Sequence, residues 1–82
     1  MANRYWVGGT GTWNTSSTTN WSASSGGASG ASVPTAADSV FFDQAATYTV
    51  TLTGALLCLN LTVSAGTVTF TSTGTIAISG SL

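Results

Sequence analysis

Residues 48–82 read YTVTLTGALLCLNLTVSAGTVTFTSTGTIAISGSL. Four apolar–polar–apolar triplets run through this stretch: Val50 and Leu52, Leu59 and Leu61, Val68 and Phe70, Ile76 and Ile78. They begin at positions 50, 59, 68 and 76, a nearly even step. A side-chain period of two puts both apolar members of a triplet on one strand face and the residue between them on the other. A short fixed period implies stacked units, none of which buries its apolar face alone. The pattern predicts an all-β chain that opens a β-solenoid (β-helix), with two or three strands to a coil. A small antiparallel β-sandwich with hairpin connections suits the same loop lengths. The even step, and the lack of Asn-Gly or Asp-Gly turns, favour the solenoid.

Working outward, Tyr48–Thr53 alternates cleanly up to Gly54, and Ser39-Val40-Phe41-Phe42 reads as a short apolar strand entered through Asp38. Val, Ile, Thr and Phe are good strand formers. No window keeps a helical period over two turns, and glycines interrupt all of them. Leu56-Leu57-Cys58-Leu59 is the one place where a single helical turn fits. Residues 14–37 have the Ser, Thr, Gly, Ala and Asn composition of a loop, broken by Trp21 and Val33-Pro34. Pro34 cannot donate to a ladder, so it precedes a strand or sits on an edge. A long structureless loop is unusual in a compact domain, so Trp21 is expected to anchor this one, with residues 25–30 its most mobile part. Residues 3–13 read as two short strands around the Gly8-Gly9-Thr10-Gly11 turn. The expected organisation is one small domain over 1–82. An aromatic cap and Gly/Ser loop cover 3–37, strand repeats cover 38–82, and the whole is the N-terminal part of a longer chain.

A chain of 82 residues holds one small domain, and such domains are marginal when alone. A single cysteine makes no internal disulfide, and without histidine one Cys and two Asp are a poor metal set. The support left is association, with more of the chain or with copies of it. Arg4, Asp38 and Asp43 are the only charged residues, so copies repel little. The same shortage of Lys and Arg argues against duplex nucleic acid and against a polybasic membrane contact. No apolar run has the length of a membrane span. The opening Met-Ala-Asn-Arg-Tyr-Trp-Val-Gly-Gly carries no signal-peptide stretch, so synthesis in the cytosol is expected.

Trp6, Trp13 and Trp21 recur at a nearly even spacing. With Tyr5 they read as a plug for the unstacked first coil, or as an interface with a partner protein. An aromatic platform for sugar rings is the competing reading, with a cell-surface glycan as its ligand. Single-stranded bases would stack equally well, but the missing positive charge counts against them. Asp38 and Asp43 read as turn caps. Their odd spacing on an extended segment points them to opposite faces, which suits neither a glycosidase pair nor a calcium site. Arg4 is expected to pair with one of them. The many Ser and Thr have no His or Lys base and no G-x-S-x-G elbow, so no nucleophile and no enzyme is expected. The Gly8–Gly11 run lacks the Lys and the helix of a phosphate loop. Cys58, between leucines, reads as an inert packed thiol. Sequons at Asn14, Asn20 and Asn60 matter only on a secretory route. No catalytic residue, metal or cofactor is expected.

Arg4-Tyr5-Trp6-Val7-Gly8-Gly9-Thr10-Gly11-Thr12-Trp13-Asn14 is similar to the opening of large phage structural proteins, fibre-like ones above all. Thr19-Asn20-Trp21-Ser22, the glycine-rich patch at 26–30, Val33–Asp38 and Val40-Phe41-Phe42-Asp43 extend the resemblance. The W-x-G-G-T-G-x-W opening also resembles autotransporter passenger strand repeats. The likeness implies a virion role, as the anchoring segment of a head or tail fibre or as a small capsid decoration protein. It implies other virion proteins as partners, assembly in the host cytoplasm, and a homo-oligomer, a trimer by similarity to fibres. The alternative function is a carbohydrate-binding or adhesin module, or an extracellular filament subunit.

Overall fold

The computed structural model describes residues 3–81, and among these the chain is all-β with no helix. Nine strands follow one another: β1 (Asn3–Trp6), β2 (Gly11–Trp13), β3 (Trp21–Ser22), β4 (Ser39–Phe42), β5 (Thr47–Leu52), β6 (Ala55–Cys58), β7 (Leu61–Val63), β8 (Thr67–Ser72) and β9 (Thr75–Ile78). They form three sheets, ordered β3-β1-β4-β7, β2-β5-β8 and β6-β9. All pairings are parallel except that of β1 with β3. No two strands adjacent in sequence pair, so the hairpins that a sandwich would need are absent among the described residues.

The register repeats. Val40 faces Leu61, Thr47 faces Thr67 and Ala55 faces Thr75, a nearly constant offset along the chain. The bends between strands keep that offset. The amides of Leu59, Thr67, Thr73, Thr75 and Ser79 donate to the carbonyls of Asp38, Ala46, Leu52, Gly54 and Cys58 in turn, at 2.7–3.0 Å. Backbone groups in the bends thus find partners without a hairpin.

Three strands, β4 to β6, pass before the next three stack on them, and this corrects the even step read from the triplets. Of the expected strand over 59–63 only Leu61–Val63 forms, as β7, while β6 precedes it with a bend at Leu59 and Asn60. Leu56 and Cys58 point inward opposite Ile76 and Ile78, Leu57 points outward, and Leu59 lies in the bend. Pairing with β9 extends residues 55–58, so the single helical turn at 56–59 does not form. At the other end, β1 and β2 flank the glycine turn but join different sheets. Trp21 anchors the long loop as expected: its carbonyl accepts from the Ala31 amide at 3.0 Å, and β3 lies beside β1.

The core is the space between the three sheets. It is filled by Val40 and Phe42 from β4, Tyr48, Val50 and Leu52 from β5, and Leu56 and Cys58 from β6, together with the three tryptophans. Inward and outward residues alternate strictly along β5, as the period of two requires. Where one bend lies on the next, backbones meet so closely that only glycine fits. A Cβ on Gly74 would strike the backbone of Gly54, and one on Gly66 would strike Gln44 and Ala46. Gly66 also has φ +71°, a conformation that side chains with a Cβ resist.

Candidate partner-binding surfaces

The aromatic cluster forms at the start of the stack. Alternation on β1 and β2 turns Trp6 and Trp13 inward, and β3 brings Trp21 between them. Trp21 stands edge-on to both, with ring centroids 5.1 Å away at 86° to Trp6 and 77° to Trp13. Phe42 packs against all three. None of the indoles is more than 1 % exposed. A sugar platform needs an open ring face, and these three rings offer none. Tyr5 parts company with them. It is half-buried on the outer side of β1, stacked on Phe41 with centroids 5.0 Å apart.

Two polar residues that carry no obvious motif hold this end together. Asn20 donates its side-chain amide to the Val7 carbonyl at 2.7 Å, while its backbone carbonyl accepts from the Val7 amide at 2.8 Å. A Cβ on Gly8 or Gly11 would lie 2.7 Å from the Asn20 carboxamide, which explains both glycines. Gln44 accepts from the Gly9 amide at 3.1 Å, and the Trp6 indole N–H donates to the Gly9 carbonyl at 2.7 Å. Sequence reading missed these roles. The only hint was an Asn directly before an anchoring Trp.

The three charges are dispersed. Asp38, at the entrance to β4, is buried and accepts from the amide and hydroxyl of Thr35 at 2.9 and 3.2 Å, which caps that turn. Asp43, at the exit of β4, does not cap its own turn as expected. It accepts from the hydroxyl of Ser25 and so ties β4 to the Gly/Ser loop. Arg4 departs from the expected carboxylate pairing, since its donors go to the carbonyl and hydroxyl of Ser32 and to the Asn3 carbonyl. Among the described residues no three metal-ligating side chains gather.

Two buried groups titrate high. Burial pushes the Tyr48 phenol up, and the Asp43 charge adds to it; burial alone pushes the Cys58 thiol up. Cys58 is fully buried, and a neutral thiol is a poor nucleophile. The Tyr48 hydroxyl and the Trp13 indole N–H find no partner among the described residues.

Two surfaces remain. The outer side of β5 and β8 is a threonine array, Thr47, Thr49 and Thr51 beside Thr67, Thr69 and Thr71, with a 3.2 Å hydroxyl contact between Thr51 and Thr71. The other surface is the apolar end formed by β7, β8 and β9. Leu61 is buried, but their other inward residues are less covered than those of β4–β6, and Val63 and Phe70 reach 44 % and 38 % exposure. Comparison with family models, with curated proteins and with solved structures finds no match to this chain.

Proposed function

We propose that the chain is the opening of a β-solenoid that serves as a structural component of a phage particle. It docks to other virion proteins and to copies of itself and performs no chemistry. One observation carries the solenoid reading. Parallel pairing keeps a nearly constant offset where β7, β8 and β9 lie on β4, β5 and β6, and the bends between them keep it too. On that reading Trp6, Trp13 and Trp21, with β3 beside them, are the cap of the first coil. Tyr5, half-buried beside the cap, is the aromatic available to a partner.

The virion role is supported by the resemblance of residues 4–43 to phage fibre-like proteins. Association is supported by the near-absence of charge and by the exposed apolar end. Burial of the three indoles weighs against the carbohydrate-binding alternative.

The test is quantitative mass spectrometry of purified native particles. The expected result is this sequence at a fixed copy number per particle, together with its intact mass. Its absence from particles, with recovery from the host or the medium instead, would sink the virion role and leave the fold reading intact.

A further inference from the structure

Threonines alternate with the inward residues along both β5 and β8, at 47, 49 and 51 and at 67, 69 and 71. Thr12 of β2 faces Thr51, and Thr51 faces Thr71, so one rank of threonines crosses all three strands of the sheet. Thr49 and Thr69 make a second rank, beside which the Thr10 hydroxyl accepts from the Thr49 amide at 3.2 Å, and Thr47 and Thr67 make a third. Among the described residues no other outer face repeats one residue: the first sheet sets Tyr5, Phe41 and Thr62 side by side, and the third sets Leu57 beside Ala77. Strand propensity favours Val, Ile, Tyr and Phe as well as Thr, so it does not account for a face of a single residue. Parallel pairing sets neighbours within a rank about 4.8 Å apart and successive ranks about 6.6 Å apart. Branching at Cβ restricts the side chain, so hydroxyls and methyls sit on that grid. Trp13, Val50 and Leu52 back the grid from the sealed end of the stack, where the indoles fill the core. The open apolar hollow lined by Leu52, Leu61, Phe70, Ile76 and Ile78 lies on the inner side of the sheet and takes no part in the face.

We propose that this threonine face binds ice, its ligand being a crystal face of water. Arg4, Asp38 and Asp43 all lie on or beside β1 and β4, so the face of β2, β5 and β8 carries no charge. A nucleic acid or another anion needs cations that the face lacks. A protein partner is anchored by Trp, Tyr or Arg, and threonine is under-represented at such anchors. A sugar ring needs an aromatic face, and no aromatic residue points outward here. An ice surface is neutral and periodic, and it matches what the face does offer. Each hydroxyl is both donor and acceptor, as each water in the crystal is. Each methyl restricts the water that lies over it. Both repeats of the grid are close to those of the oxygens on a prism face of hexagonal ice. Water held over the ranks is thereby arranged as a layer of that crystal. The Thr51 and Thr71 hydroxyls meet at 3.2 Å and exchange this exposed contact for water of the ice. The inference goes beyond the proposed function and stands apart from the virion role.

The experiment grows ice slowly in solutions of the full chain over a concentration series. Tryptophan absorbance reads how much protein enters the ice, and a microscope cold stage follows the shape of single crystals. Thr49→Lys and Thr69→Lys each put a long cation on the grid. Thr62→Lys puts one on the exposed outer side of β7, away from the grid, and serves as the control. Thermal melts establish that each variant is folded. The expected result is enrichment of the unaltered chain in ice, with faceted crystals. Both effects are lost in Thr49→Lys and Thr69→Lys and kept in Thr62→Lys. Exclusion of the unaltered chain from ice, to the level of an unrelated soluble protein, overturns the inference without any variant. Enrichment that survives in both grid variants, or that is lost equally in Thr62→Lys, overturns it too. None of these outcomes touches the virion role, which particle composition tests separately.

Discussion

Phe42 meets Phe70 edge-on, with ring centroids 5.2 Å apart at 88°. The contact joins the two ends of the molecule, since Phe42 also packs on the three indoles while Phe70 faces the open hollow. One aromatic column thus runs from the sealed end to the exposed one. Its members differ in burial, and their substitutions should differ in cost.

Phe42 is fully buried, so Phe42→Ala should lower stability by about 3–5 kcal/mol, the range for a large aromatic lost from a core. A domain of this size has about 4–12 kcal/mol in all, so the loss removes a large share of the total. Phe70→Ala should cost the monomer about half as much or less, because its ring is partly in water already. Urea unfolding followed by tryptophan fluorescence measures both. Equal costs would mean that Phe70 is as enclosed as Phe42 in solution.

The close approach of successive bends makes a second ordering. Gly66→Ala adds a Cβ against the Gln44 and Ala46 backbone at a positive φ, and should cost more than about 2 kcal/mol. Gly26 has a similar φ, +64°, but open space around it, so Gly26→Ala should cost only about 1–2 kcal/mol. Thermal melts of the two variants test the stacking itself. If Gly66→Ala is as mild as Gly26→Ala, the bends do not lie on one another as described.

How much of this was legible depends on where the alternation is clean. Val50 and Leu52, set among threonines, gave both strand and inward phase correctly, and so did Val68 and Phe70. The run Leu56-Leu57-Cys58-Leu59 has no alternation to read, since a buried strand and its following bend are equally apolar there. Its phase comes from pairing with Ile76 and Ile78 on β9. The tryptophans read equally as a plug, an interface or a sugar platform, and the enclosure of their rings comes from β3 returning beside β1. The roles of Asn20 and Gln44 are not legible either, because each depends on a loop returning to Val7 or Gly9, and nothing local specifies that return.

Asn20 is the sharper test of that return. Asn20→Ala removes the donor to the Val7 carbonyl and should cost about 1–3 kcal/mol, the penalty for leaving a partly buried acceptor unpaired. Asn14→Ala is the comparison. Asn14 accepts from the Ser16 and Ser17 amides near the surface, and its loss should cost about 1 kcal/mol or less. Chemical denaturation should rank Asn20 above Asn14; the reverse ranking would remove Asn20 from its place beside the glycine turn.

Alkaline pH should destabilise the protein through two buried groups. Burial holds the Cys58 thiol above its ordinary 9.0 and the Tyr48 phenol above its ordinary 10.0, the latter with help from Asp43. The native state therefore keeps protons that the unfolded chain releases. Above the unfolded values the native state binds more protons, so stability falls as pH rises. It should be constant through neutral pH, decline from about pH 9 as unfolded Cys58 ionises, and decline more steeply from about pH 10 as Tyr48 joins it. Cys58→Ala should abolish the first decline and Tyr48→Phe the second. Because the Tyr48 hydroxyl has no partner among the described residues, Tyr48→Phe should change stability at neutral pH by less than about 1 kcal/mol. Urea midpoints across pH 7–11 for the three chains measure all of this. A midpoint that stays level to pH 11, or a Tyr48→Phe chain that still shows the steeper fall, would mean that Tyr48 is solvated in the folded protein.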